Sequence, residues 1–277
     1  MHDNLLRYRW DKYTTRGNDG IIRHILEILK RKSGVFVEFG AWDGIVGSNC
    51  RRLVENDWGG LFIESDKERY KQLVKNYSNN QKIICYRAMV GFDGDNLFDN
   101  IIKRTLDSNI DFCSIDIDGL DLEVFETFNV LPDVVCIEGG QMLYPFHERI
   151  DVSVAKHNIQ QSLSVMNESF EKKGYKILCT YQDSFFVKES FYELFNVSSD
   201  LMELYFDGLE ASRHRLPWID SKLKNVGLNN KIISKILKLT SYNKYGWKNR
   251  KLWAKDKNGQ ILEAIQEIKY NQKRSRV

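Results

Sequence analysis

Proline is scarce. Only Pro132, Pro145 and Pro217 occur in 277 residues, and no Gly/Ser-rich or Pro-rich stretch interrupts the chain. Nothing therefore reads as a flexible or polyproline linker. The five cysteines (Cys50, Cys85, Cys113, Cys136 and Cys179) are scattered and form no CxxC, which removes the paired-cysteine zinc and redox motifs. Four of them sit in apolar runs, where cysteine behaves as a small buried hydrophobe, and reduced thiols are expected. No apolar run approaches the roughly 20 residues of a membrane helix. The N-terminus MHDNLLRYRWDKY has no apolar signal core, so a cytoplasmic location is expected. Internal repeats are lacking, and so is a GxGxxG.

What is present is a globular composition, 42% hydrophobic and 29% charged, which excludes a disordered chain. The net charge of +3 is unevenly spread. Residues 201–277 carry 17 Lys/Arg against 7 Asp/Glu, whereas the first 200 residues carry 24 against 31. Such asymmetry suggests two functional regions. Short runs rich in β-branched and aromatic residues recur at VFVEF (35–39), GLFIE (60–64), KIICY (82–86), DFCSID (111–116) and DVVCIE (133–138). Helically spaced segments such as KERYKQLVKNY, NLFDNIIKRTL and LEVFETF separate them. Buried strands alternating with helices predict a mostly parallel sheet covered on both faces. A helix over about 153–173 should follow, ending at Gly174. YKILCTY and SFFVKE are then separated only by Gln182 and Asp183, a connection that permits a hairpin and forbids a parallel crossover. The expected fold is α/β: a Rossmann-like seven-stranded sheet, five parallel strands plus an antiparallel C-terminal hairpin, with a helical C-terminal addition. Its divisions are a helical lead-in over 1–34, a core over 35–195 and a basic, mainly helical region over 196–277. In the lead-in, NDGIIRHILEILKRK reads as an amphipathic helix starting near Asn18.

The stretch VFVEFGAWDGIVGSN carries the first chemistry. Open α/β sheets bind ligands at the carboxyl ends of their strands, and here a strand ends at Glu38 before a turn holding Gly40 and Gly44. Glu64 ends the next strand, 24 residues after Gly40, near the spacing at which a carboxylate accepts from a ribose. Without GxGxxG the turn lacks the glycine-backed amides that hold a pyrophosphate. Glu38 and Asp43 would repel phosphate and attract a cation. A ligand bearing an ammonium, a sulfonium and a ribose fits these groups better than NAD.

With VEFGAWDGIVGSN, LFIESD, SIDIDGLD and VVCIE in place, the chain resembles the class I S-adenosylmethionine-dependent methyltransferases over about residues 35–190. Within them it looks most like the bacterial FkbM-type branch, often found with surface polysaccharide biosynthesis. The resemblance implies that Glu38, Gly40 and Gly44 shape the pocket for the methionine part of the cofactor, with Ala41, Asp43 and Asp116 also expected among the cofactor-binding residues. Glu64 would hold the ribose hydroxyls, and Ala88 and Met89 would flank the adenine. Ser48 and Asn49, opening the next helix, would add hydrogen bonds. Trp42 stands where many relatives have a small residue, and it either lines the pocket or packs beneath it.

SIDIDGLD gathers Asp116, Asp118 and Asp121 at the end of the fourth strand. Hard oxygen ligands on a short loop suit Mg²⁺ or Mn²⁺, and Glu138 on the fifth strand could add another. Methyltransferases of related fold use such an ion to acidify a substrate hydroxyl. A calcium loop would need glycine two positions later than Gly119. Asp116-x-Asp118 also resembles the metal motif of nucleotide-sugar glycosyltransferases, a reading that leaves Glu38 and Glu64 without a role. Alternatively Asp118 and Asp121 only cap the following helix. Asp116 is the first catalytic candidate. Beyond Glu138, Gln141 is a candidate for orienting a substrate and His147 for a general base. His157 and His214 read as solvated helix positions.

The tail interleaves Trp247, Trp253, Tyr242 and Tyr245 with lysines. It reads as a cap over an anionic or sugar-linked small-molecule acceptor, as a homo-oligomer contact, or as a nucleic-acid surface. The core lacks the Asn/Asp-Pro-Pro-aromatic motif of amino-group nucleic-acid methyltransferases, which disfavours the last. The expectation is methyl transfer from S-adenosylmethionine to an acceptor oxygen; a binding module that has lost turnover is the alternative from another class.

Overall fold

The structure is a computed structural model that describes residues 2–140, 145–146, 148–149 and 160–211. Gln141, His147, His157, His214 and the basic tail beyond Ala211 lie outside the described residues. Seven strands form one sheet: β1 (Val35–Phe39), β2 (Gly59–Glu64), β3 (Ile83–Arg87), β4 (Phe112–Ile115), β5 (Val134–Glu138), β6 (Tyr175–Thr180) and β7 (Asp183–Lys188). Their order is β3-β2-β1-β4-β5-β7-β6. The first five run parallel, and β7 enters antiparallel between β5 and β6. This is the fold the alternation of segments predicts.

Helices cover both faces: α1 (Asn18–Ile28), α2 (Arg51–Glu55) and α3 (Lys67–Tyr77) on one, and α4 (Phe98–Thr105), α5 (Asp121–Glu126), α6 (Leu163–Glu171) and α8 (Leu201–Ala211) on the other, with α7 (Glu189–Tyr192) after β7. The period of two along each strand sorts the side chains. Val37, Leu61, Cys113, Val135 and Phe186 join the α4–α6 core, while Phe36, Phe62, Phe112, Val134 and Phe185 join the α1–α3 core. The same parity sends Glu38, Ser114, Asp116, Glu138 and Asp183 to the α1 side.

Two expectations fail locally. Of the helix expected over about 153–173, residues 153–159 lie outside the described residues and α6 follows non-helical 160–162: Ser162 is extended, accepts from Val165 N to cap the helix, and bridges Gly140. Gln160 and Gln161 before it are drawn to Glu138 and Glu123 instead. Asp183 belongs to β7 rather than to the turn, because it pairs with Glu138 across the antiparallel ladder.

Candidate active site

Strand order reverses between β1 and β4, where β1's connection leads to one side and β4's to the other. The ends of these strands part there, and a cleft of about 250 Å³ opens. Glu38, Gly40, Ala41, Ser48, Asn49 and Asp116, all singled out from sequence, line it. So do Trp42, Gly47 and Val46 from the glycine loop, and Thr14, Thr15, Arg16, Asn18 and Asp183. Trp42 thus lines the cleft; it is 48% exposed, with the Arg69 guanidinium 3.9 Å above its ring.

The loop is seated from below. Buried Glu38 accepts from Ser48 Oγ at 2.6 Å, Asn49 N at 2.8 Å and Cys50 N at 3.1 Å. Burial raises its carboxyl pKa, and these hydrogen bonds work against that rise. Gly40 has φ of 73°, and a Cβ there would fall 1.7 Å from the Asp116 carbonyl oxygen, so only glycine lets the loop press on the end of β4. Ser48 Oγ accepts from Arg51 N at 3.0 Å, but α2 starts beyond Ser48 and Asn49, at Arg51, with Cys50 at its N-cap. Asn49 Nδ2 donates to Ser114 Oγ at 2.9 Å, tying the loop to β4.

Five expected cofactor residues stand outside this lining: Asp43, Gly44, Glu64, Ala88 and Met89. Asp43 Oδ1 accepts from Ile45 N and Val46 N, both at 2.9 Å, so its carboxylate closes the loop's own turn. Gly44 packs against Tyr77, whose hydroxyl donates to its carbonyl. Glu64 accepts from Trp42 N and Asp66 N, each at 2.7 Å. It is buried beside the loop with lone pairs to spare. Ala88 and Met89 follow β3 on the same strand-end edge, Met89 being 72% exposed.

The acid cluster forms where the sequence places it. One carboxylate oxygen each from Asp116, Asp118 and Glu138 lies within 4.8 Å of the others. Asp121 stands apart. Its carboxylate accepts from Ile117 N and Gly119 N, both at 2.8 Å, which folds the loop and lets Asp118 take φ of 60°. Burial raises the Asp121 carboxyl to about 7. Burial first, then the charges of Glu138 and Asp183, raise that of Asp116. Glu138 is raised by burial and pulled back by Arg16.

Arg16, Asn18, Asp183 and Gln160 are the functional residues that sequence reasoning missed. Arg16 donates through Nη2 to Glu138 Oε1 at 2.8 Å and through Nη1 to Asp183 Oδ1, with Asp116 Oδ2 at 3.6 Å from Nη1. Asn18 Nδ2 donates to Asn49 Oδ1 at 3.0 Å and to Asp183 Oδ2. Gln160 Nε2 donates to the other Glu138 oxygen at 2.6 Å. The usable signal was strand parity, since a carboxylate opposite Glu138 in the antiparallel β5–β7 pair demands a cation. Nothing in the sequence named Arg16 as its source.

A fit test for S-adenosylmethionine follows from one orphan. Asn18 is 1% exposed and lines the cleft, and its Oδ1 has no hydrogen-bond partner among the described residues. An unpaired buried acceptor beside Glu38, Asp116 and Asp183 suits a ligand that brings donors and positive charge, as an ammonium does. The residues present therefore fit that cofactor. They fit a divalent metal poorly, because Arg16 and Gln160 already engage both Glu138 oxygens.

The strand order and the cleft at its reversal define a Rossmann-like seven-stranded fold, five parallel strands followed by an antiparallel hairpin. No known family pattern matches the chain, and no curated protein matches it. Solved structures similar to it include M. capricolum TrmK in complex with S-adenosylhomocysteine, at 14% identity over 90% of this chain and 96% of that one, with a TM-score of 0.43. A SAM dependent methyltransferase from Aquifex aeolicus is 12% identical over 58% and 86%, with a TM-score of 0.36. An O-methyltransferase family protein from Burkholderia thailandensis is 9% identical over 61% and 57%, with a TM-score of 0.40.

Proposed function

We propose that the chain is an S-adenosylmethionine-dependent methyltransferase acting on an oxygen of a small sugar-like or phosphorylated acceptor. The observation that carries this reading is the cleft at the strand-order reversal, with its glycine loop, its excess of carboxylates and the orphaned Asn18 acceptor. Sugar-like acceptors and a role in surface polysaccharide synthesis are supported by the resemblance of VEFGAWDGIVGSN and SIDIDGLD to the FkbM-type branch.

When bound, the cofactor supplies an electrophilic methyl carbon on a sulfonium. The chain's own residues would have to aim the acceptor oxygen at that carbon and take up the hydroxyl proton. The protein's part is alignment and proton removal. Glu38 holds the loop that would shape the methionine end, and Asn18 Oδ1 would accept from the cofactor's ammonium. Glu64 offers its remaining lone pairs to the ribose. Asp116 lines the cleft and, as a hydrogen-bond acceptor, orients the acceptor hydroxyl and receives its proton. Trp42 and Val46 are exposed at the cleft, and Met89 and Phe92 are exposed just after β3; they offer apolar surface for the adenine and for the acceptor's carbon face.

Calorimetric titration of S-adenosylhomocysteine tests this. The intact chain should bind, and Glu64→Ala should weaken binding by roughly tenfold or more, since it also frees the Trp42 and Asp66 amides. No binding to the intact chain, with a UDP-sugar plus Mn²⁺ binding instead, would put the nucleotide-sugar reading first.

A further inference from the structure

Four carboxylates meet where β4, β5 and β7 end. Glu138 and Asp183 stand directly opposite each other in the antiparallel register, an arrangement that repels unless a cation intervenes. Asp116 and Asp118 add two more charges, with oxygens of Asp116, Asp118 and Glu138 inside 4.8 Å. Oxygens around one Mg²⁺ stand no more than about 4.2 Å apart, twice its bond length, so a modest contraction would make this group a ligand set. The cation present is Arg16, brought from the segment just ahead of α1. Its guanidinium reaches Glu138, Asp183 and Asp116 together. Asp183 raises its pKa further, so it holds its charge at every ordinary pH.

We propose that Arg16 is the resident cation of this cluster and that its guanidinium excludes a divalent metal ion that Asp116, Asp118 and Glu138 would otherwise bind. Asp116 and Glu138, which both face this guanidinium, are two of the three available ligands. The second Glu138 oxygen is engaged by Gln160 Nε2 at 2.6 Å. An ion entering the cluster would have to displace the guanidinium and leave it partly buried beside a second positive charge. The N-terminal segment is therefore part of the site, supplying in a side chain the charge that an ion would supply. This inference does not depend on the methyl-transfer reading.

Mn²⁺ binding followed by the loss of the free-ion electron paramagnetic resonance signal tests it, on the full chain. The native protein should leave Mn²⁺ free. Arg16→Gln should bind it more tightly by at least about a hundredfold, because removing a positive neighbour about 5 Å away at an effective dielectric of about 20 gives that much for a unit charge and more for a divalent ion. Adding Asp116→Asn to that variant should abolish the gain, and Arg16→Lys, which keeps the charge, should behave as the native chain does. Native binding equal to that of Arg16→Gln overturns the proposal, as does a folded Arg16→Gln that gains nothing. Should that variant fail to fold, Mn²⁺ binding by the native chain that Asp116→Asn removes overturns it equally.

Discussion

Gly40 and Gly47 offer a controlled comparison, because their backbones are alike and their surroundings are not. Both have positive φ, 73° and 76°, so alanine at either costs about 1–2 kcal/mol in backbone strain. Around Gly47 a Cβ would meet nothing within 4 Å, whereas at Gly40 it would stand 1.7 Å from the Asp116 carbonyl oxygen. Relieving that contact needs movement of well over an ångström, either of the loop or of the end of β4. Both are pinned. Asp116 N donates to Phe39 O and Ala41 N to Ile63 O, so motion strains the ladder on two strands. Overpacking of this kind adds about 1–3 kcal/mol. Gly47→Ala should therefore cost about 1–2 kcal/mol and Gly40→Ala about 2–5 kcal/mol. Urea unfolding of both variants reads this as different midpoint shifts at unchanged slope. Gly40→Ala should also displace Asp116 and weaken S-adenosylhomocysteine binding. Equal stability losses would refute the reasoning, since they would mean that the loop moves off β4 at no cost.

Two further outcomes are expected. Asp121 holds its proton up to about pH 7 in the folded protein, against about 3.9 when unfolded. The folded state thus binds more protons between those values, so this group's contribution is fully present below about pH 4 and is lost as pH rises through about 7. The span is worth up to about 4 kcal/mol; urea midpoints across that range should fall with pH, and Asp121→Asn should flatten the slope. Trp42→Ala removes a half-exposed side chain at the cleft, so stability should move by no more than about 0.5 kcal/mol. S-adenosylhomocysteine affinity should drop about tenfold as stacking area is lost, and an unchanged affinity would place the adenine elsewhere.

The strands were legible because each is a compact apolar run: VFVEF is β1 residue for residue. The hairpin was legible because two residues cannot cross a sheet. Glu38, Gly40, Ser48, Asn49 and Asp116 were legible as a group because they lie at strand ends or in the turn that follows, where this fold gathers its chemistry. Asp43 stands outside the cleft lining for a local reason. An aspartate two residues before free amides closes an Asx turn whether or not a ligand is near. The start of α6 was misjudged for a tertiary one. Gln160 and Gln161 are compatible with a helix, but half-buried Glu138 and Glu123 draw their amides away from it.

Arg16 shows a deeper limit. Its role depends on Asp183, whose role depends on the hairpin register with Glu138, and that register is set by the packing of Phe185 and Val187 against the α1-side core. A one-residue slip would send Asp183 into the opposite core and leave the guanidinium facing Glu138 and Asp116 alone. Apolar packing therefore fixes the register, the register opposes two carboxylates, and their repulsion makes a cation necessary. The loop ahead of α1 answers because buried Asp19 gathers it, accepting from Lys12 N, Tyr13 N and Thr14 N. Charge compensation at the cleft is thus a consequence of core packing on the same face of the sheet. Substitutions in that core should reach the site through Asp183 before they reach it through the glycine loop.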